Sequence, residues 1–296
     1  MRPQHDLYPF ESHWFDRSGL RLHYLDEGRG DPVVMVHGNP SWSIYYRNLA
    51  IALRDRYRVV VPDHIGCGLS DKPGDDRYTY TLKSRVDDLE ALLDSLGFTK
   101  NVTLVLHDWG GMIGMAWADR HPERVARIVV LNTAAFRMPS AKKLPGALAL
   151  GRDSSAGAFL IRGFNAFARG AAMVGCKRHP MSNELRDAYC APYNSWQNRI
   201  ATLRFVQDIP LAPGDAAYDI VKGVEERLEQ FRRVPMFIGW GLKDFVFDGT
   251  FLAEWERHFP EAEVHRYADC GHYVLEDAAE ELVPAIRAFL DGHPIS

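Results

Sequence analysis

"VTLVLHDWGG", residues Val102 to Gly111, decides how the rest of the chain reads. Apolar and β-branched residues run without alternation from Val102 to Leu106, the pattern of a strand buried on both faces. The run ends on the polar pair His107-Asp108, and two glycines follow Trp109. A strand that stops on a polar residue and passes through glycine into a helix turns sharply. Such a turn lifts the side chain at its apex out of the sheet's end. Asp108 occupies that apex, where a G-x-S-x-G elbow carries serine, and Leu106 replaces the first glycine. A carboxylate placed there can attack carbon and form a covalent ester. The plain alternative is an Asp that only caps the following helix.

The flanking segments continue the pattern. Trp14 to Phe15 and Leu20 to Leu25, around Ser18-Gly19, read as an opening hairpin. "PVVMVHG" and "YRVVVPD" read as buried strands. Val86, Leu89, Leu92, Leu93 and Leu96 recur at helical spacing, with Gly97 as the stop. A helix is expected over Met112 to Asp119, and "VARIVVLN", "VPMFIGWG" and "AEVHRYA" supply three more strands. This alternation predicts an α/β fold: a mostly parallel eight-stranded sheet with helices on both faces. Between residues 136 and 229 no buried strand is legible. That stretch reads as a helical cap over the sheet's carboxyl edge, leaving 1–135 and 230–296 as the core. Within it, Phe159, Leu160, Ile161, Phe164, Phe167 and Met173 fall at helical spacing. Core packing is the default for such a stripe, although a lid over an oily substrate has the same composition.

Composition narrows the function. With 35 basic and 39 acidic side chains, a net charge of −4 and no basic block, nucleic acid is not an expected partner. No apolar run is long enough for a transmembrane helix, and "MRPQHDLYPFESHWF" contains no signal-peptide core. The scattered Cys67, Cys176, Cys190 and Cys270 show no CxxC spacing. Reduced thiols in a cytoplasmic protein are expected. His37, His64 and His107 lie near strand ends and read as polar residues shaping loops, so no metal is expected. Gly66-Cys67-Gly68 is a turn without the G-x-G-x-x-G fingerprint, and no cofactor is expected.

Other residues complete a chemical set. His272, in "ADCGHYVLEDAAEEL", follows the last expected strand, where a general base belongs; a histidine there deprotonates a water. Asp244, in "GWGLKDFVFDG", is the candidate to orient it. Asp248 is the rival, and either could cap a helix. The other usual place for the acid follows "VARIVVLN" and offers Asn132, which cannot carry the charge. The order nucleophile, acid, His matches that of hydrolases of this architecture. Asn39, in "HGNPSWS", and Trp109 place two backbone N–H groups as oxyanion donors, and their side chains add a carboxamide and an indole N–H. Turn chemistry before Pro40 and core packing are their plain alternatives.

These residues together resemble the α/β-hydrolase superfamily and, within it, the haloalkane dehalogenases. "HGNPSWS", "PDHIGCGLSDKP", "LHDWGGMIG", "HPERV", "GLKD" and "CGHYVLED" follow that family's order over almost the whole chain. "YCAPYNSWQNRIATLRFVQDIPL", Tyr189 to Leu211, is similar to the dehalogenase cap. The resemblance implies Asp108 as nucleophile, His272 as base, Asp244 as acid, Asn39 and Trp109 as an anion-binding pair, and no cofactor or metal. "YPFESHWFDRSGLRLHYLDEG" and "PYNSWQNRIATLRFVQDIPL" resemble a closer branch still, the β-lactone decarboxylases of bacterial long-chain olefin biosynthesis. That branch implies conversion of cis-3,4-dialkyl β-lactones to cis-alkenes and CO2 through a covalent Asp intermediate. It also implies a hydrophobic substrate with long alkyl chains, and other olefin-biosynthesis enzymes as neighbours. Attack at the ring's alkyl carbon and at its carbonyl both remain open. The alternative is a haloalkane dehalogenase, which releases halide and hydrolyses the resulting alkyl ester. An epoxide hydrolase fits less well, because Tyr189 and Tyr193 lie in a different pattern and Asn39 replaces an aromatic residue. A non-catalytic receptor would not need the complete set.

Overall fold

The structure is a computed structural model that describes residues 7–295. Its centre is an eight-stranded sheet in the order β1-β2-β4-β3-β5-β6-β7-β8. The strands are β1 (His13–Arg17), β2 (Leu20–Glu27), β3 (Pro32–Val36), β4 (Arg58–Pro62), β5 (Val102–Asp108), β6 (Val125–Thr133), β7 (Met236–Gly241) and β8 (Glu263–Tyr267). β1 pairs antiparallel with β2, and β2 antiparallel with β4; every other pairing is parallel. The hairpin turn carries Ser18 at φ 54° and Gly19 at φ 79°, which suits a two-residue connection with both φ positive.

Strand periodicity explains why helices cover both faces. Val34, Val36, Val60, Leu104 and Leu106 join one apolar core, and their neighbours Val33, Met35, Val59, Val61 and Val105 join another. Successive side chains point to opposite faces, so every central strand feeds both cores. The first core receives α2 (Leu82–Ser95), α3 (Trp109–Arg120), α9 (Tyr218–Arg227) and α10 (Gly249–His258). The second receives α1 (Arg47–Leu53), α11 (Val274–Asp277) and α12 (Ala279–Gly292). α2 follows the expected spacing: Val86, Leu89, Leu92 and Leu93 are buried, and the Thr81 hydroxyl accepts from the Ser84 N–H as its N-cap.

α3 begins at Trp109, three residues earlier than the sequence reading placed it. Gly110 and Gly111 hid that start, since glycine is a poor helix former. Packing requires them: a Cβ on Gly110 would strike the Val36 carbonyl, and one on Gly111 would strike the Thr133 hydroxyl. Gly114 leaves the space that a Leu106 methyl fills, which accommodates leucine in place of the elbow's first glycine.

Between β6 and β7 the chain forms α4 (Gly146–Asp153), α5 (Ser155–Phe164), α6 (Ala166–Val174), α7 (Asn183–Cys190), α8 (Ile200–Gln207) and then α9. Asp208, just after α8, accepts from the backbone N–H of Leu82 at 2.6 Å and from Arg85 at 3.0 Å, tying this segment to the start of α2. Its apolar stripe departs from the default expectation of core packing. Ile161 is buried, but Phe159, Leu160, Phe164 and Met173 face outward. No helix among the described residues is long and apolar enough to cross a membrane.

Candidate active site

Asp108 ends β5 with φ 53° and ψ −127°, a backbone conformation that a non-glycine residue adopts only where its surroundings impose it. The constraints are identifiable. The Thr133 hydroxyl donates to the Asp108 carbonyl. The backbone N–H of Asn39 donates to Asp108 Oδ1 at 2.6 Å, and that of Trp109 favours the ionised carboxylate. Gly38 is required beside it, because the carboxylate occupies the place a Cβ would take.

This arrangement corrects one expectation. The backbone N–H of Asn39, expected as an oxyanion donor, holds Oδ1 of Asp108 itself. Oδ1 is therefore fixed, and Oδ2 faces the cavity and the imidazole. The side chains of Asn39 and Trp109 line the cavity, where they can meet an anion that develops elsewhere in it. The Asn39 carboxamide is aimed by α8: its Nδ2 donates to the Thr202 carbonyl at 3.1 Å.

His272 lies beyond β8 and binds Asp244 Oδ2 through Nδ1 at 2.8 Å. That bond places a proton on Nδ1 and leaves Nε2 toward Asp108 Oδ2, 3.7 Å away. Asp244 is further held by the Val246 N–H at 2.8 Å and by Asn132 Nδ2 at 3.1 Å. The rival Asp248 is engaged elsewhere: it caps α10 through the Thr250 N–H at 3.0 Å and pairs with Lys142 at 2.6 Å. Asn132, at the other usual place for the acid, accepts from the Gly241 N–H at 2.8 Å and so ties β6 to β7 behind Asp244.

Three contributions were not legible in advance. The ring of His107 bonds the His272 carbonyl at 2.9 Å and lies between Tyr45 and His272, with centroids 4.2 and 4.6 Å away. Its position next to Asp108 was the only signal. The Thr133 hydroxyl and the Thr202 carbonyl act through contacts that no local pattern encodes. His37 and His64 shape the neighbouring loop, as expected: His64 Nε2 bonds the His37 carbonyl at 2.9 Å.

Burial sets the electrostatics. It pushes the Asp108 carboxyl above its ordinary value of 3.8, against the pull of His272 and of the Asn39 and Trp109 N–H groups. Burial alone would drag His272 down, but the charge and hydrogen bond of Asp244, with the charge of Asp108, outweigh it and raise its pKa. His107 is pushed well below its ordinary value, first by burial and then by His272, so it stays neutral.

The carboxylate and imidazole open into a cavity of about 280 Å³. Core residues such as Met112, Phe136 and Phe247 line one part, and Leu148, Phe167 and Val206 of the helical segment line another. Among the described residues no three His, Cys, Asp or Glu side chains gather as a metal site. A buried carboxylate, an imidazole whose pKa is raised and two side-chain donors in an apolar chamber suit attack on carbon with an anionic leaving group.

Residues 31–159 match the model of the alpha/beta hydrolase fold family. The chain is 60% identical to a cis-3-alkyl-4-alkyloxetan-2-one decarboxylase of Shewanella oneidensis, over 96% of this chain and 89% of that protein. It is 33% identical to haloalkane dehalogenase 2 of Mycobacterium bovis, over 96% of each chain. The crystal structure of haloalkane dehalogenase DatA from Agrobacterium tumefaciens C58 superposes with a TM-score of 0.87 at 24% identity, covering 99% of this chain and 100% of that one. The chain belongs to the α/β-hydrolase superfamily, in the family of the cis-3-alkyl-4-alkyloxetan-2-one decarboxylases, with the haloalkane dehalogenases as more distant relatives.

Proposed function

We propose that this protein is a β-lactone decarboxylase, converting cis-3,4-dialkyl 2-oxetanones to cis-alkenes and CO2. The observation that carries the reading is the 60% identity to an oxetanone decarboxylase across nearly the whole chain. The apolar cavity around Asp108 is consistent with it.

Asp108 Oδ2 attacks the ring's alkyl carbon, C4. A C4–O bond to Asp108 forms, and the ring C4–O bond breaks with its electron pair going to the ring oxygen. The substrate then carries a free carboxylate, which the Asn39 carboxamide and the Trp109 indole meet; one well-placed donor contributes on the order of 3 kcal/mol. Next, the C3–carboxylate bond breaks and its pair becomes the C3=C4 double bond. The C4–Asp108 bond breaks, and its pair returns to Asp108 as CO2 leaves. Neither water nor a proton is consumed. Inversion followed by anti elimination carries the cis ring into the cis alkene. Asp244 favours the cationic form of His272, and that cation steadies the carboxylate of Asp108 as it is expelled.

Residues 136–229 act as the cap that admits a substrate with long alkyl chains. Free thiols at all four cysteines support a cytoplasmic enzyme. Neighbouring enzymes of olefin biosynthesis would supply the lactone. The test is gas chromatography of the purified protein incubated with such a lactone: cis-alkene is expected above the uncatalysed rate, and none would reject the reading. Haloalkane dehalogenation is the second reading, favoured by the 33% relative and by an imidazole near enough to direct water at an ester on Asp108. Halide release across short and long haloalkanes tests it.

A further inference from the structure

The outward stripe of α5 has the wrong composition for a surface in water. Ser155, Ala156, Phe159, Leu160, Gly163 and Phe164 are all exposed. They recur at the one-face spacing of a helix, and none carries a charge. Phe159 is 54% exposed, Phe164 is 60%, and Met173 on the adjoining α6 is 64%. Single exposed apolar residues are ordinary, but a contiguous apolar face marks something that covers it. Trp196 extends the patch, with its ring 6.0 Å from Phe159 and the Arg162 guanidinium 4.7 Å above it.

Charge indicates the occupant. The chain as a whole is −4, yet no acidic residue occurs from Ser154 to Asn183, where Arg162 and Arg169 flank the stripe; Arg178, further on, is paired with Asp269 and Glu281. An apolar face with aromatic residues and a basic rim is the composition of a helix that lies on an anionic lipid surface. A second copy of the same face would bring Arg162 and Arg169 against their like, which disfavours self-pairing. The patch also borders the cavity's mouth. α6 turns Phe167, Ala171 and Val174 toward the cavity and Met173 outward, and α4 turns Leu148 inward and Leu150 outward.

We propose that the outer face of α5 and α6 docks reversibly on anionic membrane surfaces, so that the cavity exchanges long-chain compounds with the bilayer. The link to substrate rests on the lactone reading above; the docking itself does not. The test is co-sedimentation with sucrose-loaded vesicles of dioleoylphosphatidylglycerol and dioleoylphosphatidylcholine, compared with vesicles of the choline lipid alone. The protein is expected to pellet with the anionic vesicles and to be released by added salt. The triple variant Phe159→Ser, Leu160→Ser, Phe164→Ser, with an undiminished melting temperature, should bind at least about tenfold more weakly. The pair Arg162→Gln, Arg169→Gln, which keeps the stripe, should weaken binding and flatten its salt dependence. Failure to pellet with anionic vesicles overturns the proposal, as does a triple variant that binds like the parent. A dimer in sedimentation velocity that the triple variant abolishes would assign the face to self-association and overturn it too. None of these readouts needs turnover, so they stand or fall separately from the lactone reaction.

Discussion

Nε2 of His272 stands 3.7 Å from Oδ2 of Asp108, too far for a hydrogen bond and close enough for charge to act. The opposite nitrogen is bonded to Asp244 at 2.8 Å, so the ring cannot swing toward or away from Asp108. At that separation, an effective dielectric of about 20 gives an attraction on the order of 4 kcal/mol. In the lyase this attraction is absent while Asp108 is an ester and returns as its carboxylate is expelled. His272→Gln should therefore slow breakdown of the ester by about a thousandfold while still allowing it to form. Rapid-quench kinetics should show a burst of bound substrate with little alkene.

Asp244 and Asp248 are separated by four residues in sequence and have unrelated environments. Asp244→Asn removes the charge behind His272 and should lower kcat by about 10³–10⁴-fold. Asp248→Ala removes a helix cap, so kcat should fall by less than about threefold while unfolding costs about 1 kcal/mol less. Steady-state kinetics and thermal melts on the two variants check this contrast.

Asn132 Nδ2 lies 3.1 Å from the Asp244 oxygen that holds His272. Asn132→Asp alone sets two carboxylates together and should impair turnover. Combined with Asp244→Asn, it returns a charge to the same corner and should recover about tenfold of the activity lost by Asp244→Asn. A double variant no better than the single one would mean that position 132 cannot reach the imidazole.

The pH profile separates the two chemistries. Asp108 must be ionised to attack, and burial raises its pKa above 3.8, so kcat/KM should rise with pH through that raised value. His272 must be cationic when the ester breaks down. Its pKa lies above the ordinary 6.5, so kcat should fall as pH climbs through that raised value. A hydrolase that needs neutral His272 to activate water would show the opposite limb, with kcat increasing over the same interval. Alkene and halide assays across pH on one preparation decide between them.

Much of this architecture was legible because buried strands advertise themselves. The runs at Val33–Val36, Val59–Val61 and Val102–Leu106 are β-branched or apolar at every position, and they became β3, β4 and β5. Strand order was not legible, since pairing of β2 with β4 depends on contacts distant in sequence. At the site, Asp108, His272 and Asp244 carry local turn chemistry and could be singled out. The ring of His107 under the His272 carbonyl could not, because the two are 165 residues apart. The same holds for the Thr202 carbonyl that aims Asn39, 163 residues away. The direction of Phe159 and Phe164 was obscured by a periodicity that cannot say which face of a helix is covered.

The most direct test is the mass of the protein after acid quench with a cis-3,4-dialkyl β-lactone, using His272→Gln to hold the intermediate. One intact lactone should be found attached, mapping to the peptide that contains Asp108, and Asp108→Ala should neither carry the adduct nor make alkene. Alkene formation by Asp108→Ala, or an adduct on any other residue, would contradict the account.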